Sequence, residues 1–388
     1  MKNRQKILSD VLDAASTQDY SGYSKFDALN SGLLAFLSFK NKWLRLIYTQ
    51  IVKGLPFNIR PVLGVEKSRN PKGIALFSRA YFFLYQRTGK TQYLRKGESL
   101  VQWLIQNPSP GQTHLCWGYN FVWQSTLFLQ GRFEPNAVVS IFVGEALIHA
   151  YRVTQKEEYL HAARSVEDFI IHDLPILHDS DHERAIAYVL RKVDAVVLNI
   201  QVLAGAFIAK IWNLTGEMEL LNLAMRMINY TVNRRTEYHA WYYTHQRERS
   251  VITHDNYHTG GILDGLLEYF EETEDDRYME AYWKGLDYYQ RNLFEPDGAP
   301  RWMNNKKYPF DVHGSAQGII SFKKAAKHDS RFLSQAEMIA DWAIRNLYRK
   351  ETHNFAYRQG RWLRWNYSLM RWCNAWMTRA LAELVCDV

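Results

Sequence analysis

The chain has 388 residues, 47 % hydrophobic and 23 % charged, with three cysteines and a formal net charge of +8. That composition excludes a fibrous or disordered chain, and a core of this size needs no disulfide or metal staple. Cys116, Cys373 and Cys386 make no disulfide framework and suit a reducing, cytoplasmic compartment, while the positive charge is scattered and comes with no groove-reading motif, so no nucleic-acid partner is expected.

In chain order, Met1 to Ser16 mixes charged and apolar residues without a continuous apolar run, so it does not read as a signal peptide. Leu29 to Leu55 reads as an N-terminal helix pair. Its apolar stretch, Leu33 to Val52, is broken by Lys40, Lys42 and Arg45, and no transmembrane segment is expected.

A repeat then runs through the chain: an apolar helix, a short polar turn, an aromatic or leucine anchor, and an amphipathic helix. The turns are Thr88-Gly89-Lys90, Thr154-Gln155-Lys156, Thr215-Gly216-Glu217, Thr273-Glu274-Asp275 and His328-Asp329-Ser330. The anchors Tyr93, Tyr159, Leu220, Tyr278 and Phe332 are separated by 66, 61, 58 and 54 residues, which is one helix pair plus loops. The second helices keep helical spacing, as in Tyr93, Leu94, Gly97, Val101 and Leu104. Asn233 to Thr253 is aromatic and polar and reads as a small hairpin. A C-terminal helix, Trp372 to Val385, completes about six hairpins, so the expected fold is all-α, a single (α/α)6 toroid over residues 1–388.

Polar and aromatic residues collect in the loops before the inner helices. Asp194, Asp255 and Asp311 recur at 61 and 56 residues, and His258 and His313 at 55, which are the repeat periods. Same-phase residues share one rim of a toroid, so these groups should converge on its mouth, with Trp117, Tyr119, Trp123 and Tyr257 lining it. Asp27, Asn30, Arg60, Gln124, Asn199, Asn256 and Gln317 belong to the same loops as candidate substrate-binding residues. Aromatic rings there suit the C–H face of a pyranose, and Arg60 suits a carboxylate. The aspartates are also preferred helix N-caps, which is a complete structural reason for any one of them. Capping does not explain the run His254-Asp255-Asn256-Tyr257-His258, which would be costly to bury without a ligand.

Phe26-Asp27-Ala28-Leu29-Asn30-Ser31, Asn58-Ile59-Arg60-Pro61-Val62-Leu63-Gly64, Asn70-Pro71-Lys72-Gly73, Trp117 to Ser125, Asp255 to Gly260 and Tyr308 to His313 span most of the chain. In these segments the sequence resembles the VpsJ-like toroid proteins of exopolysaccharide-biosynthesis clusters. That pattern usually has an aspartate after Asn-Phe, where this chain has Val122. The resemblance implies a toroid, a polysaccharide context and association with a polysaccharide synthesis complex. More distantly, the chain is similar to unsaturated glucuronyl hydrolases and N-acylglucosamine 2-epimerases.

Three functions stay open. A glycoside hydrolase would use Asp255 and Asp311 as its carboxylate pair, tuned by His258 and His313. An epimerase or lyase would use His258 and His313 as acid and base. A non-catalytic glycan-binding or scaffold subunit would use the aromatic mouth alone. In each case the ligand is an oligosaccharide or polysaccharide, and the net charge favours an anionic one. No Asp-x-Asp-Asp run is present, and Cys116 and Cys373 lack a well-spaced histidine, so no metal and no cofactor is expected.

Overall fold

The helical repeat closes into a ring. The structure is a computed structural model that describes residues 2–250 and 252–386. The helices of the first half are α1 (Lys2–Thr17), α2 (Gly32–Leu37), α3 (Lys42–Gly54), α4 (Pro71–Thr88), α5 (Thr91–Gln106), α6 (Ala137–Thr154) and α7 (Glu157–Asp168). Those of the second are α8 (Leu198–Thr215), α9 (Met218–Val232), α10 (Asn256–Thr273), α11 (Met279–Leu293), α12 (Val312–Ala325), α13 (Arg331–Leu347) and α14 (Trp376–Val385).

The inner circle is α4, α6, α8, α10, α12 and α14. Each packs on the next, and α14 packs back on α4. Helices α5, α7, α9, α11 and α13 return along the outside, each against its own partner. Inner helices are enclosed on both sides and so are apolar almost all round. That is why Ala137–Thr154 is long and apolar enough to cross a membrane, yet 67 % of it is buried. Outer helices bury one stripe only, such as Gly97, Leu100, Val101 and Leu104 of α5.

The threonine of the repeated turn has a physical cause. In the first four repeats its hydroxyl donates to the carbonyl one turn back: Thr88 to Leu84, Thr154 to Ala150, Thr215 to Ile211 and Thr273 to Tyr269, at 2.6–3.0 Å. The next residue is left-handed. Gly89 (φ 65°) and Gly216 (φ 76°) adopt this freely, which ends the helix and turns the chain outward.

The sixth hairpin differs from the expected one. Leu29 to Leu55 is not an inner–outer pair; it forms a short 3-10 turn, Asp27–Asn30, followed by α2 and α3, beside the mouth. The outer partner of α14 is α1, whose Ile7, Leu8, Val11, Leu12 and Ala15 form a buried stripe. Arg4 ties α1 to Glu337 and Asp341 of α13 at 2.6 and 2.9 Å. Burial decides the matter: α1 has a core-facing stripe, whereas the large apolar residues of α2 and α3 face outward. In 233–253 the described residues form no hairpin. Thr244 instead makes an isolated bridge to Val197.

Candidate active site

The inner helices start at one rim, where short polar side chains accept their unpaired N–H groups. Asn70, Asn136, Asp255 and Asp311 cap α4, α6, α10 and α12 in this way. Asp194 does not join them. Helix α8 is capped by Val197, and its first N–H, on Leu198, donates to the Tyr243 carbonyl at 3.0 Å. A backbone partner thus replaces the side-chain cap, and Asp194 lies exposed on the loop three residues earlier.

Inside the rim is a cavity of about 290 Å³. Its upper wall is aromatic, from Phe26, Tyr119, Trp123, Phe128, Tyr188 and Tyr243. His258 lies in that wall on the first turn of α10. Asp255 accepts the His258 backbone N–H at 2.9 Å and, through Oδ2, the ring Nδ1 at 2.6 Å. With Nδ1 carrying the shared hydrogen, Nε2 is the nitrogen left to accept a proton.

His313 also lines the cavity, stacked on Tyr257 at 4.7 Å and against Trp376 at 4.2 Å, with neither ring nitrogen hydrogen-bonded. Burial, aided by Lys72 and Arg371, holds this imidazole well below its ordinary pKa and so keeps it neutral. Lys72 and Arg371 are buried in the same wall and have no carboxylate in salt-bridge contact among the described residues. Burial, then the Arg371 charge, lowers the Lys72 ammonium well below the usual lysine range. An incoming anion would restore the charge that burial disfavours.

The two aspartates stand behind the histidines and do not line the cavity. Asp311 is buried, accepting the His313 N–H at 3.0 Å and Trp372 Nε1 at 2.7 Å. Its Oδ2 lies 3.5 Å from Lys25 Nζ, and burial pushes the Lys25 ammonium down to about 7. At the rim the cavity is therefore shown the two imidazoles rather than the facing pair Asp255 and Asp311.

Farther down the lumen, each inner helix contributes one charge at the repeat spacing: Arg79, Glu145, Lys210, Glu268, Lys324 and Arg379. They pair around the ring. Glu145 lies 3.5 Å from Arg79 and 2.7 Å from Lys210, and Lys210 lies 2.6 Å from Glu268, which also pairs with Lys324. Arg379 pairs with Glu383. Asp264 sits one turn above, bound by Gln317 at 2.9 Å and Ser321 at 2.6 Å, and burial raises its carboxyl.

Of the other expected residues, Tyr119, Trp123, Tyr257, Asn199 and Gln317 line the cavity. Several do not. Arg60 is fully buried and spent on Asp27 at 2.6 Å, so it is no carboxylate receptor. Trp117 is wholly buried with Nε1 on the Leu104 carbonyl at 3.0 Å, so it offers no stacking face. Asn30 clasps the Asn120 carbonyl and Val122 N–H, Gln124 braces its own turn, and Asn256 bonds Leu293 and Tyr289. In α10, Gly260 is a packing residue, since a Cβ there would lie 2.5 Å from Gln317, whereas the adjacent Gly261 has open space.

Trp117→Ala is accordingly expected to lose about 3–5 kcal/mol of stability in urea unfolding. Trp123→Ala, at a half-buried wall position, should lose less and chiefly weaken ligand binding by isothermal titration.

Lys72, Arg371 and the lumen charges were missed by sequence reasoning, although a signal existed. A lysine in the first turn of an apolar helix opposes the helix dipole, and one charged residue of each inner helix recurs in phase.

Residues 141–285, from α6 into α11, match the family described as Beta-L-arabinofuranosidase, GH127 catalytic domain. No curated protein matches the chain significantly. Among solved structures, cellobiose 2-epimerase from Bacillus thermoamylovorans aligns at 13 % identity and a TM-score of 0.63, over 83 % of this chain and 90 % of that one. A sugar epimerase from a ruminal bacterium aligns at 14 % and 0.65, over 84 % and 91 %. A GH76 alpha-mannanase from Bacteroides thetaiotaomicron aligns at 15 % and 0.63, over 82 % and 85 %. At these identities the likeness is one of fold, and the fold is the (α/α)6 toroid.

Proposed function

We propose that the protein is a carbohydrate-active enzyme that moves a proton at the carbon next to a sugar carbonyl, as an isomerase or epimerase does. One observation carries this reading: a single cavity wall holds two imidazoles in different settings. His258 is oriented by Asp255, and His313 is kept neutral beside Lys72 and Arg371. His258 Nε2 takes the proton from the carbon α to the carbonyl, and Asp255 balances the charge that develops on the ring. The C–H electron pair becomes a C=C bond and the carbonyl π pair moves to oxygen. That oxyanion is met by Lys72, Arg371 and an N–H of neutral His313. Returning the proton to the former carbonyl carbon, while the hydroxyl proton of the α carbon passes to the former carbonyl oxygen, gives isomerisation; epimerisation follows when the enediolate turns its other face to the protonated His258 before the proton is returned. The aromatic wall supplies faces for a pyranose, and the two sugar epimerases of like fold support the same class.

A hydrolytic reading is supported by the arabinofuranosidase family match and by Asp264 and Glu268, two cavity carboxylates one turn apart. Burial raises Asp264, whereas Lys210 and Lys324 outweigh burial at Glu268 and hold it ionised. The VpsJ-like resemblance adds a polysaccharide-biosynthesis setting with an oligosaccharide or polysaccharide end as substrate. Three buried cysteines without a disulfide accord with a cytoplasmic location.

The test is incubation with reducing oligosaccharides in D2O. Deuterium at C2 of an epimer or at C1 of a ketose, with the glycosidic bond intact, is the expected result by NMR. Bond cleavage without carbon-bound deuterium would transfer the assignment to the hydrolytic reading, and neither product would leave a binding protein.

A further inference from the structure

Helices α2 and α3 depart from the usual pattern of a surface helix. On α3 only Thr49 and Val52 are buried, while the i, i+4, i+8 stripe Trp43, Ile47 and Ile51 faces outward. Phe36 and Phe39, on α2 and the turn between the helices, are each 73 % exposed, and Trp43 is 65 % exposed. So many large apolar side chains on one hairpin mark an interaction surface. The hairpin is also free of carboxylates. From Ala28 to Val65 there is no Asp or Glu, while Lys40, Lys42, Arg45 and Lys53 are present; Arg60, buried on Asp27, is not part of the face. The patch continues at the C-terminal end of α3. There Trp365 donates to the Gly54 carbonyl at 2.9 Å and Arg358 to the Lys53 carbonyl at 3.1 Å, which fixes the turn carrying Arg361, Trp362 and Arg364 against it. Trp362 is 86 % exposed.

We propose that α2, α3 and the Trp362 turn form a docking face for an anionic lipid surface, lying in the headgroup region without spanning the bilayer. Apolar and aromatic side chains flanked by cations are what such an interface selects. A second copy of the chain is a poor occupant, because two such faces would oppose cations with no carboxylate between them. The face adjoins the cavity: α3 packs on the Trp123–Gln124 strand, and Lys42 Nζ donates to the Thr126 carbonyl at 2.5 Å. Residues 125 and 126 belong to the cavity wall, so docking would sit beside the site entrance.

The experiment is co-sedimentation of the full chain with vesicles of pure phosphatidylcholine and of phosphatidylcholine with 30 mol % phosphatidylglycerol, at low and high salt. Binding to the anionic vesicles is expected, weakened by salt. The variant Phe36→Ser, Trp43→Ser, Ile47→Ser should lose it more than tenfold, and Lys40→Glu should weaken it at least about fivefold at low salt. Circular dichroism and thermal melting of the triple variant confirm that folding is retained, as these residues are exposed. No binding of the wild-type chain to anionic vesicles would overturn the proposal. So would a dimer by analytical ultracentrifugation that the triple variant abolishes, which would give the face to a second copy.

Discussion

Glu268→Gln is expected to lower the unfolding free energy by about 3–5 kcal/mol, the usual result of removing one partner from a buried ion pair. Glu268 is the hinge of the lumen belt, bonded to Lys210 at 2.6 Å and to Lys324, and both lysines are themselves buried. Glutamine keeps the shape and leaves two ammonium groups with less counter-charge. The same geometry sets a pH dependence. The folded carboxylate lies well below its ordinary value of 4.5, because Lys210 and Lys324 outweigh burial. Its contribution is therefore complete above 4.5 and is lost as pH falls through the folded value. Urea unfolding of wild type and variant at pH 7 and at pH 4 tests both points. The gap between them should narrow in acid, and a loss below about 1 kcal/mol at pH 7 would mean that water, not the belt, solvates these charges. Glu280→Gln on the exposed face of α11 is the control and should leave the unfolding curve essentially unchanged.

His258→Gln should reduce kcat by about 10²–10⁴-fold with little change in thermal stability, since it removes the acceptor but not a core group. Asp255→Asn is the sharper variant. Asparagine caps a helix about as well as aspartate, so α10 should hold within about 1 kcal/mol. An amide cannot accept the Nδ1 hydrogen while balancing charge on the ring, and a carboxylate-to-amide change behind a catalytic histidine drops kcat by up to about 10⁴-fold. Asp311→Asn keeps its cap and its distance from the cavity, and should affect Lys25 more than turnover. Deuterium incorporation at C1 or C2 is the readout. Full activity in Asp255→Asn would reduce Asp255 to a cap, and loss confined to Asp311→Asn would revive a role for that carboxylate.

The repeat was legible because its cause is local. Apolar spacing gives the helices, and the Thr hydroxyl with a left-handed residue ends each inner one, so five hairpins and their order could be read directly. The sixth could not, because pairing α1 with α14 is a contact across the whole chain that no local pattern encodes. Phase identified Asp255 and Asp311 as equivalent rim positions, and it misled at Asp194 because a backbone bridge to the 243–244 segment caps α8. Proximity in sequence also overstated some residues. Trp117 and Arg60 belong to the quoted motifs, yet one fills the core and the other neutralises Asp27. The cavity-lining cations Lys72 and Arg371 stand on opposite sides of the ring closure, α4 and the turn before α14, and only folding brings them together.

That closure has a consequence for the order in which the molecule is made. Helix α1 has its partner in α14, so a nascent chain that has reached only α13 is an open arc. Its two free flanks, α4 and α12, would expose the apolar faces that α14 later covers. Until the final turn emerges, such an arc is a surface for holdase chaperones or for an arc of another chain. Only when α14 docks between α4, α12 and α1 do Arg371 and Trp372 enter the cavity, so the cavity wall is the last part of the ring to be completed.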